Sequence, residues 1–239
     1  TFMAGNAAIE AADKLRTRIG DAVADALDTP VETLKFRHGQ IGDGSRSMDW
    51  IDAIRLAEAR TGTLGSSGSY RPPEADKRFR RNPIGPSPAY SFTATVAEVQ
   101  VDPESGIVIV EQVWCAHDLG RVLHPQIAEG QIEGCVYMGV GEALLEEQTY
   151  EHGQMRCPSI LEYKIPTVYD TPAIHAILVE SHDPGGPFGA KEVGEGPQLP
   201  VVPAIANAIH DAIGVRLNHP PFTPDRVLRA LQGRPPLDF

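Results

Sequence analysis

The stretch Gly185-Gly186-Pro187-Phe188-Gly189-Ala190-Lys191-Glu192-Val193-Gly194-Glu195-Gly196-Pro197 constrains this chain more than any other. Its five glycines leave the backbone bare, so it can turn sharply and approach a ligand or a neighbouring strand closely. Beyond it, Leu199, Val202, Ile205, Ala206, Ile209 and Ile213 recur at helical spacing, with Gly214 as a stop signal. The pattern is a glycine-rich loop leading into a helix N-terminus, where free N–H groups favour negative charge. It is not the phosphate loop of nucleoside triphosphatases, which needs Gly-Lys followed by Ser or Thr; here Ala190 precedes Lys191 and Glu192 follows it. A glutamate at such a loop is either a base or a complement to the helix dipole, and the residues alone leave both readings open.

Composition narrows the class. A chain of 239 residues with 41% hydrophobic content has enough material for one large domain or two small ones. Its 32 acidic against 21 basic residues give a net charge of −11, which argues against a nucleic-acid or anionic-membrane surface. No apolar run reaches the length of a membrane span, and the first residues carry no signal-peptide pattern. Cys115, Cys135 and Cys157 form no CxxC pair, so the chain itself is not expected to hold an iron–sulfur cluster or a structural zinc. They read as buried or free thiols in a reducing cytoplasm.

Along the chain, residues 3–27 keep an apolar helical stripe from Ala7 to Leu27. The helix begins almost at the first residue, which reads as a cut within a domain. Residues 33–41 read as a strand and Gly42-Asp43-Gly44 as a turn. Ser47 is placed to cap a helix over 48–60, with Trp50 as a core residue rather than a stacking platform. Residues 61–89 form an irregular Gly/Pro-rich segment with a basic cluster at Lys77, Arg78, Arg80 and Arg81, read mainly as solvated surface. Residues 90–101 alternate with a one-residue slip expected to be a bulge, and they turn through 103–106 into a partner strand at 107–116. Pro125 opens a helix-like segment whose glycines at 130, 134, 139 and 141 are costly unless something packs closely on them. Leu144 breaks the dinucleotide fingerprint that Gly139 and Gly141 begin. A strand and turn over 146–157, a strand over 174–180 and a last helix over about 224–232, capped by Thr223 and opened by Pro224, complete the pattern.

The run Gly189-Ala190-Lys191-Glu192-Val193-Gly194-Glu195 resembles the C-terminal signature of the molybdenum hydroxylases, the xanthine dehydrogenase family. Its wording looks closest to the 4-hydroxybenzoyl-CoA reductase branch. The element His117-Asp118-Leu119-Gly120 through Pro125, followed by Gly130-Gln131-Ile132-Glu133-Gly134, and the stretch Ser159 to Thr167, are similar to further family segments. The resemblance covers nearly the whole chain and is most specific over residues 90–231. It implies an α+β fold, the C-terminal part of the molybdenum-cofactor-binding domain, with residues 1–60 as a helical and strand segment, 61–89 as a loop and 90–239 as the molybdopterin-binding region.

By the same resemblance Glu195 is the base beside the metal. Lys191, Glu192, Val193 and Gly194 line the pterin dinucleotide, Leu119, Gly120, Arg121, Val122, Leu123 and His124 contact it, and Gln131 reaches the pterin or the metal's ligand shell. The metal is held through the pterin dithiolene, so His117 and His124 are expected to be hydrogen-bonded structure rather than ligands. The implied cofactor is molybdenum-molybdopterin cytosine dinucleotide, shared with a companion chain carrying the rest of the molybdenum subunit. The implied partners are subunits with 2Fe-2S clusters and FAD, in the cytoplasm. The implied chemistry is hydroxylation of an aromatic or N-heterocyclic substrate with water as the oxygen source, reversed to dehydroxylation in the reductase branch. A purine, N-heterocycle or aldehyde hydroxylase and a non-catalytic structural subunit are the alternatives.

Overall fold

The computed structural model describes residues 1–71 and 89–235. Contacts within the chain divide it into two units, Thr1–Pro88 and Ala89–Phe239. The basic cluster at 77–81 lies outside the described residues.

In the first unit, α1 (Phe2–Leu27) buries Ile19, Ala22, Val23 and Ala24 and ends on Asp28 in the left-handed region. The segment read as one strand over 33–41 is instead a hairpin, β1 (Lys35–Arg37) and β2 (Gln40–Gly42), joined to β3 (Ser47–Asp49) in an antiparallel sheet. His38 and Gly39 both have positive φ, which matches the strand twist in a two-residue hairpin turn. The apolar pattern alone hid that break. Ser47 does not cap the next helix, because it pairs in β3; the cap of α2 (Trp50–Thr61) is Asp49, whose carboxylate accepts from the N–H of Ile51 at 2.9 Å. Ile41 joins Ala53 and Ala57 of α2 and the buried face of α1 in one small core. Trp50 sits at its margin, 38% exposed, edge-on to Phe36. The described part of the irregular segment straps back onto α1: Arg18 and Lys14 donate to the carbonyls of Gly65 and Ser67, and a side chain at Gly68 would strike the carbonyl of Ala7.

The second unit is a three-stranded sheet covered by helices. β4 (Thr93–Val101) and β5 (Val108–Asp118) form the expected antiparallel hairpin, with the register shift between Glu98 and Val99. The chain then forms α3 (Pro125–Leu144), a two-residue hairpin of β6 (Tyr150–Glu151) and β7 (Gln154–Met155), and the single turn α4 (Ile160–Tyr163). It returns as β8 (Ala173–Val179), parallel to β5, so β5 is the central strand. Two helices follow, α5 (Val201–Ile213), stopped by left-handed Gly214, and α6 (Pro224–Leu231). Thr223 sits at the N-cap of α6 but its hydroxyl makes no capping bond. Leu199, which the periodicity assigns to the α5 stripe, lies before that helix and is 78% exposed.

The core is the inward row of β5 (Val110, Val113, Cys115) against Ile132, Val136 and Val140 of α3 and Val201, Ile205 and Ile209 of α5. All three cysteines are buried and unpaired. Two of the four costly glycines of α3 have visible reasons. A Cβ on Gly139 would lie 2.5 Å from the Cβ of Val201, and one on Gly141 would meet Pro166 at 2.8 Å, so each keeps a close approach. Gly130 and Gly134 meet nothing within 4 Å. The contrast makes a prediction for urea unfolding of this chain. Gly139→Ala loses roughly 1–3 kcal/mol to overpacking against α5. Gly134→Ala instead gains up to about 1 kcal/mol from helix propensity.

Candidate functional site

The site is built where β5 ends. Asp118 closes the strand, and the chain turns through Gly120, whose φ of +70° suits glycine. Residues 119–121 then lie between the exit of β8 and the glycine loop. The N–H of Leu119 donates to Val179 (3.1 Å), that of Ser181 to Gly120 (3.0 Å), that of Arg121 to Gly189 (2.8 Å) and that of Lys191 to Leu119 (2.8 Å). A side chain on Gly120 would collide with the backbone of Gly189 to Lys191. This backbone seam fixes the start of the glycine loop on the central strand.

A buried ion pair locks the seam. Lys191 Nζ lies 2.7 Å from Asp118 Oδ2, and the two side chains are only 9% and 12% exposed. Asp118 Oδ1 also accepts from the hydroxyl of Ser181 (2.7 Å) and the N–H of Gly120 (3.1 Å). Burial is the largest single influence on this carboxyl and raises its pKa. The bonds from Lys191, Ser181 and Gly120 together outweigh burial and leave it below the ordinary carboxylate value. The Lys191 ammonium, expected to line a dinucleotide, is thus committed inside the chain, with the face of Phe92 at 5.9 Å as its further neighbour.

The loop beyond is pinned by side chains beneath it. His117, fully buried, makes a 2.7 Å bond between Nδ1 and the hydroxyl of Thr93, and its Nε2 lies 3.2 Å from the carbonyl oxygen of Glu192. Since a carbonyl only accepts, Nε2 carries the proton. Cys135 Sγ donates to the carbonyl of Gly194 (3.0 Å). Burial, first among its causes, raises the Cys135 thiol above its ordinary pKa, so it stays a neutral donor. Glu192 curls back, its carboxylate accepting from the N–H of Gly194 at 2.8 Å.

Glu195 emerges from this scaffold exposed. Its carbonyl accepts from the N–H of Gln198, and its side chain makes no capping bond to the short turn Gly196–Gln198 that follows. Among the described residues its carboxylate has no hydrogen-bond or ion-pair partner. A cleft of about 490 Å³ opens at the neighbouring Glu192 and Gly196, lined also by Tyr90, Ser91, Thr93 and Leu199 and not by Glu195 itself.

The remaining expected residues divide by exposure. Leu119 and Gly120 are buried and their backbone is spent in the seam, and the N–H of Val122 goes to Glu180 (2.7 Å). Val193 and Gly194 are half-buried in the pinned loop. Arg121, Leu123 and His124 are exposed. His124 caps α3 through Nδ1, accepting from the N–H of Ile127 at 3.3 Å. Among the described residues the Arg121 guanidinium has no hydrogen-bond or ion-pair partner. Gln131 is exposed on α3 between the bare glycines at 130 and 134. An unpaired guanidinium, a free amide and two glycines open to close approach fit a large anionic organic cofactor. Among the described residues no cluster of His, Cys, Asp and Glu is placed to ligate a metal directly. Sequence reasoning missed Asp118, Thr93 and Cys135 as parts of the site, since each acts through a partner far along the chain.

A family model described as the molybdopterin cofactor-binding domain matches residues 1–172. The probable hypoxanthine oxidase XdhD of Escherichia coli (strain K12) is 33% identical over 237 residues, covering 97% of this chain and 23% of that protein. The putative xanthine dehydrogenase molybdenum-binding subunit XdhA of the same organism is 39% identical over 139 residues, 57% of this chain and 18% of that protein. The crystal structure of quinoline 2-oxidoreductase from Pseudomonas putida 86 superposes with a TM-score of 0.77 at 25% identity, covering 94% of this chain and 29% of that one. The chain belongs to the molybdenum hydroxylase (xanthine dehydrogenase) family, matches the C-terminal part of its molybdenum-binding subunit, and has the α+β fold of that region. It spans less than a quarter of the length of these curated relatives.

The buried pair has a pH signature. Because the Asp118 carboxyl is depressed on folding, its contribution is full above the unfolded value of about 3.9 and is lost as pH falls from there through the folded value. Asp118→Asn should cost roughly 3 kcal/mol at pH 7 by leaving Lys191 buried and uncompensated. In thermal melts the gap to wild type should narrow as pH falls below about 4 and close only below the depressed native value, where the native carboxyl is also neutral.

Proposed function

We propose that this chain forms one wall of the active site of a molybdenum-dependent oxidoreductase, with Glu195 as the base at the metal centre. The observation carrying this reading is the Glu195 carboxylate itself. It is exposed next to cleft-lining Gly196, makes no bond within the described chain, and follows a loop segment tied down by buried groups at Lys191, Glu192 and Gly194.

Bound molybdenum–pterin cofactor supplies the redox chemistry. The chain's part is to hold and to accept protons. The rigid seam sets the origin of the loop, and the His117 and Cys135 bonds set its path. The Glu195 carboxylate then takes the proton released when water-derived oxygen becomes nucleophilic. Arg121, Leu123, His124 and Gln131 face solvent and form the surface for the dinucleotide and pterin, proposed to be the cytosine form. Lys191 and Glu192 serve that surface by shaping the loop. The remaining contacts would come from a companion segment of the molybdenum subunit, and cytoplasmic partner subunits with 2Fe-2S and FAD would supply the electron exchange.

The names of the relatives favour hydroxylation of an N-heterocycle, since hypoxanthine, xanthine and quinoline are all nitrogen heterocycles. A dehydroxylase of the 4-hydroxybenzoyl-CoA type is the second reading, on the wording of the Glu195 loop.

In the purified assembly, Glu195→Gln should lower turnover on a heterocycle panel at least ~10³-fold while molybdenum per protein stays at the wild-type level. Near-normal turnover removes Glu195 from the chemistry. Purified alone, the chain should carry no stoichiometric molybdenum by elemental analysis, since it supplies only part of the cofactor's contacts.

A further inference from the structure

His117 has no exposed surface, so it touches neither substrate nor cofactor, yet it is polar and lies near the end of β5, the central strand. We propose that His117 is a positioning residue for the Glu195 loop, a clamp joining β4 to the backbone immediately before the proposed base; this rests on the reading of Glu195 above. Three observations converge on it. The ring spans two elements, with the Thr93 hydroxyl of β4 on Nδ1 and the Glu192 carbonyl on Nε2. The loop has shaped itself to the ring: a Cβ on Gly196 would lie 3.1 Å from His117 Cε1, so glycine at 196 lets the backbone rest on the imidazole. The bonds also lead up to the base in sequence, because His117 holds position 192 and Cys135 holds the carbonyl of Gly194, and just beyond Glu195 the backbone of Gly196 rests on the imidazole.

An apolar residue of similar size would fill the space but leave the Thr93 hydroxyl and the Glu192 carbonyl without their partner at a part-buried spot. Those groups would then seek water, and the loop would lift from β5. Glutamine can return a donor at the position of Nε2. The loop's geometry, and with it the aim of the Glu195 carboxylate, therefore depends on the bond rather than on bulk.

The test compares His117→Leu and His117→Gln in the purified molybdenum-loaded assembly, with Thr93→Val as a milder break in the same clamp should His117→Leu fail to fold. Hydrogen exchange is followed by mass spectrometry, alongside kcat, KM and molybdenum content. For His117→Leu the amides of Lys191, Gly194 and Gln198 should exchange roughly tenfold faster, the loss expected from one hydrogen bond. Exchange in β4, β5 and β8 should be unchanged, kcat should fall about 10- to 100-fold, KM should hold, and molybdenum should be retained. His117→Gln should recover most of both changes, and Thr93→Val should show the same pattern at smaller amplitude. Wild-type exchange in the loop of His117→Leu, or of Thr93→Val where the former does not fold, overturns the clamp. So does faster exchange spread over the whole sheet, which marks a general core residue. Glu195→Gln separates the two ideas: if it turns over normally while His117→Leu loosens the loop, the base assignment fails and the clamp stands.

Discussion

The arrangement of the second unit depends on the contact between Lys191 and Asp118. A lysine and an aspartate removed from water are costly, and they persist only where geometry and further hydrogen bonds compensate. Here the carboxylate is fully used, by Lys191, Ser181 and the backbone of Gly120, at a point where three chain segments meet. One end of that contact is the last residue of the central strand, and the other is the middle of the glycine loop. The ion pair therefore converts a loop that glycine makes pliant into one with a defined starting point.

From that point a single logic runs outward. The glycines of the loop and of residue 120 permit backbone to lie on backbone, and the seam between 119–121 and 189–191 is the result. The inward side chains at the end of β5 and on α3 then reach the loop's carbonyls, where the same face higher on the strand simply packs the core. Polar grip takes over from apolar packing as the sheet reaches its edge. Glu195 follows this scaffold with no bonded partner among the described residues, which is the ground for proposing a role toward something outside this chain.

Much of the fold was legible. Periodicity located α1, the β4–β5 hairpin with its bulge, β8 and α5, because each buries a stripe or alternates cleanly, whereas α3 was marked by Pro125 at its start. It failed where local chemistry outweighs pattern. His38–Gly39 breaks a run that reads as one strand, and Asp49 rather than Ser47 caps α2, since Ser47 is claimed by sheet pairing. For the site, the loop and its glutamate stood out as glycines and charge in one short window. Its anchors did not, because Asp118 lies 73 residues from Lys191 and His117 lies 75 from Glu192, a pairing only the parallel return of β8 creates. Lys191 looked like a ligand contact because nothing local reveals that its charge is already matched.

The central claim is that this scaffold aims the Glu195 carboxylate at a bound molybdenum centre. Diffraction from crystals of the assembled enzyme, recorded on both sides of the molybdenum absorption edge, locates the metal without reference to any assumed pocket. The account predicts an anomalous peak beside the cleft at Tyr90 and Gly196, with a Glu195 oxygen within hydrogen-bond reach, roughly 3 Å, of an atom bound to the metal. A peak elsewhere, or a Glu195 side chain directed away from it in the loaded enzyme, would contradict the account.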